Sequence, residues 1–164
     1  MIHTRSLDLV SPTQTAEFAQ KLGSYLKGGD VLLLSGEIGA GKTVFARALI
    51  QSLQDVPEDV PSPSFTLVQI YETPVGEVWH SDLYRLSDPD QCVELGLTDA
   101  FETAICIVEW PDRLGDLVPD TALHLEFSLP QSETNFDSAT EDTHRSLKIT
   151  WKSDSWAQRV EAVM

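Results

Sequence analysis

Residues 36–43, with the sequence GEIGAGKT, constrain the fold of this chain more than any other stretch. They match the phosphate-binding pattern in which two glycines enclose four residues and are followed by lysine and a hydroxyl residue. An apolar run at residues 31–34 precedes the pattern, and residues 44–50 follow it with helical spacing. A strand, a glycine loop and a helix in this order are typical of nucleoside triphosphate binding.

The chemistry of such a loop depends on its backbone. Glycines let successive N–H groups turn inward around a phosphate, and the start of the next helix adds partial positive charge. Lys42 is then expected to reach the β- and γ-phosphate oxygens, and the Thr43 hydroxyl to bind Mg²⁺. A purely structural glycine turn is the alternative. The remaining predicted phosphate-binding residues are Glu37, Ile38, Gly39, Ala40 and Gly41.

Composition limits the classes of protein that this chain can represent. Its 164 residues, 41% of them hydrophobic, are enough for one substantial core and leave little room for a second domain. No apolar stretch reaches transmembrane length, and the N-terminal residues lack a long apolar segment, so we expect a cytoplasmic protein without membrane contact. The net charge of −15 opposes direct binding to a nucleic acid backbone. It favours solubility, or docking on a basic protein.

Hydrophobic periodicity and turn residues predict alternating strands and helices. The predicted strands cover residues 7–9, 30–35, 65–71, 77–82, 104–109, 122–129 and 147–151. The predicted helices run from residue 12 to a stop at residues 28–29, and over residues 44–50, 88–95, 98–102 and 156–163. Residues 130–143 are polar and acidic and predict a flexible hairpin loop. Together these elements predict one α/β domain over residues 1–164.

Two carboxylates at predicted strand ends are candidates for the chemistry beside the phosphates. Glu109 follows four apolar residues, and Asp82 ends the second strand of a predicted hairpin. Ligands of open α/β sheets bind at the carboxyl ends of the strands, where Mg²⁺ needs carboxylate or water ligands. We therefore predict Glu109 as a metal-site residue and Asp82 as a catalytic residue that orients water or the metal shell. Solvated strand-end carboxylates are the alternative for both.

Four blocks of sequence together resemble one family closely. They are residues 36–43, 62–68 (SPSFTLV), 80–86 (HSDLYRL) and 107–113 (IVEWPDR), and the resemblance extends over about residues 15–119. The first block is generic, but the joint presence of the other three is specific. They resemble the TsaE family, formerly called YjeE, whose members are small P-loop ATPases of bacterial tRNA threonylcarbamoyladenosine synthesis.

This resemblance implies a P-loop NTPase-like three-layer fold with a central, mostly parallel sheet and additional antiparallel strands. It implies catalytic roles for Lys42, Asp82 and Glu109, with ATP as the nucleotide and Mg²⁺ held by Thr43 and Glu109. The family works with the proteins TsaB and TsaD and uses ATP hydrolysis to support their cycle, so tRNA contact is expected only through that complex.

The resemblance also implies a switch segment over residues 62–66 that senses the γ-phosphate. Ser62 and Thr66 are therefore predicted to contact the nucleotide, and Trp110 stands where the family has a tryptophan beside it. Ser64 replaces a threonine that is commoner in the family and preserves a hydroxyl. Residues 11–15 are weaker candidates for the base side of the nucleotide.

Three other functions fit parts of the sequence. Residues 112–115 (DRLG) have the Asp-x-x-Gly pattern of a regulatory GTPase, but Asn135 is the only asparagine and is not followed by the lysine of a guanine-selecting element. A small-molecule kinase needs cationic groups around the transferred phosphoryl, and only Arg85 and Arg113 are suitably placed. An assembly factor that uses slow ATP turnover as a timer overlaps with the favoured function.

Overall fold

The computed structural model describes residues 1–37, 40–129 and 144–164. The strands in these ranges are β1 (His3–Leu9), β2 (Val31–Ser35), β3 (Val68–Thr73), β4 (Gly76–Asp82), β5 (Ile105–Glu109), β6 (Leu123–Ser128) and β7 (Arg145–Trp151). The α-helices are α1 (Pro12–Gly23), α2 (Lys42–Leu53), α3 (Asp90–Glu94), α4 (Leu97–Thr103) and α5 (Ala157–Val163). Two 3-10 helices cover Pro111–Leu117 and Asp154–Trp156.

The strands form one sheet in the order β1-β7-β6-β2-β5-β4-β3. The four central strands, β6, β2, β5 and β4, are parallel to one another, and the remaining strands are added antiparallel on both sides. Glu109 at the end of β5 pairs in register with Leu34 of β2 on one side and with Asp82 of β4 on the other. The predicted α/β fold with a central parallel sheet and antiparallel strands is confirmed. The carboxyl ends of the four parallel strands all lie on the side of the sheet where the glycine loop follows β2.

Two hydrophobic clusters cover the two faces of the sheet and give the three layers. On one face, three phenylalanine rings connect the helices to the sheet. The ring centroid of Phe45 on α2 lies 6.1 Å from that of Phe18 on α1 and 5.5 Å from that of Phe127 on β6. On the other face, Leu97 and Phe101 of α4 pack over β2 and β5. Residues 105–109 of β5 are buried on both faces, as expected for a central parallel strand.

Helix α1 begins where the sequence predicts and ends earlier. The Ser11 hydroxyl accepts from the Gln14 N–H at 3.2 Å, and the Gln14 amide oxygen accepts from the Val10 N–H, an arrangement close to a capping box. The helix stops at Gly23 and not at residues 28–29. The N–H groups of Tyr25 and Leu26 bond to carbonyls three residues back, so the chain leaves the helix through a tight turn.

The strand predicted from residue 65 begins at Val68, and residues 64–66 form a turn before it. The Leu67 N–H donates to the Pro63 carbonyl at 2.7 Å, and the Leu67 carbonyl accepts from Asp82 N–H. Leu67 has a φ of 69°, a left-handed conformation that side chains rarely adopt. Periodicity alone does not detect this turn, because the aromatic Phe65 and the β-branched Thr66 are residue types that also favour a strand. The hairpin of β3 and β4 is confirmed.

A buried ion pair fastens the C-terminal helix α5 to the start of β2. Arg159 donates from both terminal nitrogens to Asp30, at 2.6 Å and 3.3 Å, and its guanidinium lies 3.7 Å from the Trp156 ring centroid. The Trp156 indole donates to the Thr121 carbonyl at 2.7 Å. The ion pair and the packing of Trp156 thus hold α5 against the amino end of β2, opposite the glycine loop.

Two further sequence predictions concern a flexible loop and the absence of a membrane-spanning segment. The predicted flexible loop at residues 130–143 lies outside the described residues. Within the described ranges, no helix has both the length and the apolar character required to cross a lipid bilayer.

Candidate functional site

A cavity of about 390 Å³ lies at the carboxyl ends of the parallel strands, between the start of α2 and the segment before β3. The predicted site residues that line it are Gly41, Lys42, Thr43, Ser62, Asp82, Glu109 and Trp110. Pro12 and Thr15, from the weaker candidates at residues 11–15, and Ser64, from the predicted switch segment, also line it, together with Val44, Tyr84, Arg85 and Arg145. The fold therefore brings most of the predicted site residues, from four separate segments, to one concave site.

The glycines at the two ends of the loop meet different steric demands. A Cβ on Gly36 would lie 2.4 Å from the Phe127 carbonyl oxygen, so only glycine lets β2 leave the sheet so close to β6. Gly41 caps α2 with a φ of 108°. The Ala40 N–H donates to the Glu37 carbonyl at 3.1 Å. The described residues on either side of positions 38–39 thus lie close to each other, as the ends of a phosphate-binding loop do.

Lys42 is held in the cavity with its ammonium group close to the loop backbone. Its Nζ donates to the carbonyl oxygens of Gly36 and of Glu37, the latter at 3.2 Å, and lies 3.9 Å from the Trp110 ring centroid. Burial lowers the pKa of Lys42, and the nearby carboxylates Glu109 and Asp82 oppose that shift. A desolvated ammonium group whose hydrogen-bond partners among the described residues are carbonyl oxygens is well prepared to bind an anion.

Glu109 connects the glycine-loop helix to the neighbouring strand. Its Oε1 accepts from the Thr43 hydroxyl at 3.2 Å, and its Oε2 lies 2.6 Å from Nε2 of His80. The Glu109 side chain is only 2% exposed, and that of His80 is fully buried. Because the Thr43 proton points to Glu109, the lone pairs of the hydroxyl oxygen are left for a metal ion.

Asp82 also lines the cavity, at the end of β4 and next to Glu109 in the register of the sheet. Its Oδ1 accepts from the Tyr84 N–H at 3.0 Å, and its Oδ2 accepts from the Ser64 hydroxyl at 3.4 Å. The Ser64 hydroxyl is also 2.9 Å from that of Ser62. A buried carboxylate with weakly bonded hydroxyl neighbours has the acceptor capacity to orient water.

Aromatic rings form the wall beside Lys42. Trp110 has a φ of 59°, and its ring lies 4.8 Å from that of Tyr84, centroid to centroid. The left-handed backbone at Trp110 follows directly on Glu109, so the chain turns sharply after β5 and presents the ring to the cavity. Arg85 stacks on the exposed ring of Phe65 with 4.3 Å between guanidinium and centroid.

Several predicted residues lie away from this cavity. Thr66 accepts from the Gln69 side chain at 3.0 Å and does not line it, and Ala40 is buried in the core. Glu37 is exposed and lines a second cavity. Ile38 and Gly39 fall outside the described residues.

Three residues at or near the cavity were missed by sequence reasoning. Tyr84 and Arg145 line it, and His80 lies behind it against Glu109. A period of two along β4 places His80 on the same face as Asp82, and this was the signal that could have found it. Arg145 comes from distant β7 and has no local signal.

The chemistry of the donor set fits a magnesium-bound triphosphate. The hydroxyl and the two carboxylates supply oxygen ligands of the kind that Mg²⁺ prefers. The ammonium group supplies a charged hydrogen-bond donor for phosphate. No group of three or more His, Cys, Asp and Glu side chains is placed to hold a metal ion within residues 1–37, 40–129 and 144–164. An ion at this site therefore needs phosphate oxygens or water to complete its shell.

The DRLG segment does not contribute to this cavity. Asp112 is exposed and lines the second cavity, and Gly115, with a φ of 56°, lies where a Cβ would be 3.2 Å from Pro89. The glycine is thus required by local packing, which accounts for the Asp-x-x-Gly pattern without a nucleotide.

The glycine loop between β2 and α2, at the carboxyl edge of a parallel sheet, defines the P-loop class of α/β proteins. The family model for "Threonylcarbamoyl adenosine biosynthesis protein TsaE" matches residues 9–137. The chain therefore belongs to the TsaE family, and the family predicted from its four sequence blocks is confirmed.

Similar proteins cover most of the chain. The tRNA threonylcarbamoyladenosine biosynthesis protein TsaE of Rickettsia bellii is 31% identical over 142 residues, 87% of this chain and 98% of that protein. The protein of the same name from Aquifex aeolicus is 40% identical over 72% of this chain and 84% of its own length. The crystal structure of YdiB from Bacillus subtilis matches 99% of this chain and 95% of its own, with a TM-score of 0.76 and 23% identity. This last likeness supports the fold.

Proposed function

We propose that this protein binds and hydrolyses ATP with Mg²⁺ as an accessory ATPase of tRNA threonylcarbamoyladenosine biosynthesis. One observation supports the proposal above all: Lys42, Thr43, Glu109 and Asp82 converge on a single cavity beside the glycine loop. A cation for the phosphates, a hydroxyl and a carboxylate for the metal ion, and a second carboxylate for water are the kinds of group that hydrolysis of a triphosphate uses.

In this proposal the loop and the start of α2 bind the phosphates. Lys42 exchanges its contacts with the carbonyls of Gly36 and Glu37 for β- and γ-phosphate oxygens. The backbone N–H groups at the start of α2 lie at the positive end of the helix dipole and add further attraction. Thr43 supplies a metal ligand from its hydroxyl oxygen while its O–H still donates to Glu109. A bound Mg²⁺ supplies charge neutralisation of the developing phosphate charge.

Hydrolysis also needs an oriented water molecule and a sensor of the γ-phosphate. Asp82 accepts hydrogen bonds and lines the same cavity as Lys42, so we assign it the orientation of the attacking water. Ser62 and Ser64 are bonded to each other and, through Ser64, to Asp82. A γ-phosphate that competes for these hydroxyls would move the segment and change the surface around Phe65, which is 80% exposed.

The pathway assignment is supported by the family and by the names of the relatives from Rickettsia bellii and Aquifex aeolicus, both tRNA threonylcarbamoyladenosine biosynthesis proteins. We propose TsaB and TsaD as partners, with nucleotide hydrolysis coupled to their cycle. A net charge of −15 is consistent with contact with tRNA through such a complex and not through this chain alone.

The direct test measures ATP hydrolysis by the chain alone and with TsaB and TsaD, with Mg²⁺ or with EDTA. We expect slow turnover alone, faster turnover with both partners, and no turnover in EDTA. A pull-down with TsaB and TsaD, with and without ATP, tests the association. Absence of turnover under every condition would overturn the proposal, and a preference for GTP would favour the GTPase alternative.

A further inference from the structure

His80 forms a short hydrogen bond with the carboxylate at the centre of the site, and it has no role in the proposal above. Its Nε2 lies 2.6 Å from Oε2 of Glu109, and neither side chain is more than 2% exposed. The imidazole does not line the cavity, so it does not touch the nucleotide directly. Its effect on the site must therefore pass through Glu109.

The contact follows from the register of two parallel strands. His80 pairs with Ile107, and Asp82 pairs with Glu109. Because side chains alternate along a strand, His80, Asp82, Ile107 and Glu109 all lie on one face of the sheet. His80 is thus the diagonal neighbour of Glu109 on the adjacent strand, one step nearer the amino end of the sheet.

The two oxygens of Glu109 are bonded to different elements. Oε1 accepts from the Thr43 hydroxyl on α2, and Oε2 is bonded to His80 on β4. A carboxylate bonded at both oxygens cannot rotate without breaking one of these bonds. A buried carboxylate that loses a partner carries a large desolvation cost and turns toward another donor. Lys42, the proposed phosphate ligand, is a cation close enough to Glu109 to interact with it electrostatically.

The second nitrogen of the imidazole indicates which way the proton points. His80 Nδ1 is buried and has no hydrogen-bond partner among the residues that the structure describes. A neutral imidazole with its proton on Nε2 donates to Glu109 and leaves no buried N–H unpaired, whereas a proton on Nδ1 would be unpaired. The geometry therefore favours the Nε2–H tautomer.

We propose that His80 is a positioning residue: by donating from Nε2 to Glu109 Oε2, it keeps Glu109 Oε1 at Thr43, where the magnesium shell forms. This inference deepens the proposed function and rests on it. Partners that orient metal-site carboxylates and histidines typically contribute about 10- to 100-fold to metal affinity or activity. Loss of His80 should thus impair turnover and the use of Mg²⁺ more than nucleotide binding.

Three substitutions separate donation from packing. His80→Gln places an amide N–H near the position of Nε2, His80→Asn reaches only the position of Nδ1, and His80→Ala removes the donor. His124 lies on β6, half-buried and outside the cavity, so His124→Gln is the matched control. Thermal unfolding of every variant shows which ones are folded under the assay conditions.

The kinetic measurement is ATP turnover by the protein in the presence of TsaB and TsaD, at a series of Mg²⁺ concentrations. We expect kcat to fall about 10- to 100-fold in His80→Ala and His80→Asn, with KM for ATP within about threefold of wild type. We expect His80→Gln to recover most of kcat, and His124→Gln to match wild type. The Mg²⁺ concentration for half-maximal turnover should rise in the impaired variants.

Two readouts do not depend on turnover. Nitrogen-15 NMR of the nucleotide-free protein should show the His80 proton on Nε2. Calorimetry with the non-hydrolysable analogue AMPPNP should show that Mg²⁺ strengthens binding less in His80→Ala than in wild type. Both measurements use the full chain.

The outcomes distinguish this inference from the function on which it rests. Wild-type protein that neither hydrolyses ATP nor binds AMPPNP overturns the proposed function. If wild type is active, a proton on Nδ1, a folded His80→Ala variant with wild-type kcat and Mg²⁺ dependence, or equal losses in His80→Gln and His80→Ala overturn the role of His80 alone.

Discussion

The two ends of the central parallel strands are built from similar residue types and are organised in opposite ways. At the amino end, the buried carboxylate of Asp30 receives both terminal nitrogens of Arg159, and the guanidinium stacks on Trp156. At the carboxyl end, the ammonium of Lys42 has loop carbonyls and a ring for partners, and His80 keeps one nitrogen unpaired among the described residues.

Backbone strain follows the same division. The two non-glycine residues with positive φ in the described ranges, Leu67 and Trp110, both adjoin the cavity segments at the carboxyl end. Strained backbone and incompletely paired polar groups persist where the surrounding structure holds them, and they are common at ligand sites. We infer that the amino end of the sheet serves stability and the carboxyl end serves binding. Substitutions at the two ends should therefore affect different properties.

The largest expected effect is on catalysis, from Lys42→Ala. Two hydrogen bonds from an ammonium to phosphates are worth about 1.5–3 kcal/mol each, so kcat/KM for ATP should fall roughly 1000-fold. Thermal stability should change little, because removal of the buried ammonium also removes its desolvation cost. Steady-state ATPase assays and thermal unfolding measure both. Undiminished activity in this variant would remove the assignment of the loop.

The next effect is on stability, from Arg159→Ala. Arg159→Ala removes two charge-assisted hydrogen bonds from buried Asp30 and leaves it the N–H and the exposed ammonium of Lys27, so the free energy of unfolding should fall by about 3 kcal/mol. Nucleotide affinity of the folded protein should stay at the wild-type value. Denaturant unfolding and calorimetry with AMPPNP measure the two quantities.

Arg5→Ala is the matched control for the same helix. Arg5 pairs with Glu161 of α5, but both side chains are about half exposed. Surface pairs contribute little, so its loss should cost below about 1 kcal/mol. Equal costs for Arg5→Ala and Arg159→Ala would contradict the special role of the Asp30 pair.

Asp82→Asn should separate turnover from binding at the carboxyl end. The amide keeps the shape of the side chain and loses the acceptor strength needed to orient water, so kcat should fall about 100-fold. The dissociation constant for AMPPNP should stay within about threefold, since Asp82 does not bind phosphate in our proposal. The exposed Asp116, outside the cavity, supplies the control Asp116→Asn. A parallel loss of binding in Asp82→Asn would contradict the assigned role.

The smallest effect is a pH dependence of nucleotide affinity. Burial lowers the pKa of Lys42 below its ordinary value of 10.5 in the nucleotide-free protein, and a bound triphosphate should raise it. Binding then takes up a proton, so affinity should decline with rising pH above the lowered pKa, by at most about tenfold per unit. Calorimetry with AMPPNP at several pH values measures this.

Lys42→Arg is the control for that titration, because a guanidinium stays protonated over the same range. Its binding, even if weaker, should lack the decline. A wild-type profile that is flat, or that matches the Lys42→Arg profile, would contradict proton uptake by Lys42.

Much of this molecule was predictable from local sequence. The glycine loop, the buried strands and the hairpin of β3 and β4 follow from periodicity and turn residues, which act over a few positions. Glu109 and Asp82 were predicted because each ends a strand, and parallel strands end at one edge. The structure brings both to the same cavity.

The rest depends on contacts that no local pattern encodes. The end of α1 at Gly23 and the turn before Val68 arise from backbone bonds formed by apolar residues that also suit a helix or a strand. His80 and Glu109 are 29 residues apart in the chain, and their contact depends on the register of β4 against β5. Arg145 reaches the cavity from β7 at the far side of the sheet order.

The most direct test of the account is a crystal structure of the protein with AMPPNP and Mg²⁺. We predict triphosphate density against the backbone at the start of α2, with Lys42 on the β- and γ-phosphates and the metal ion at the Thr43 hydroxyl beside Glu109. Nucleotide bound elsewhere on the chain, or density in this cavity that does not contact Lys42 and Thr43, would contradict the account.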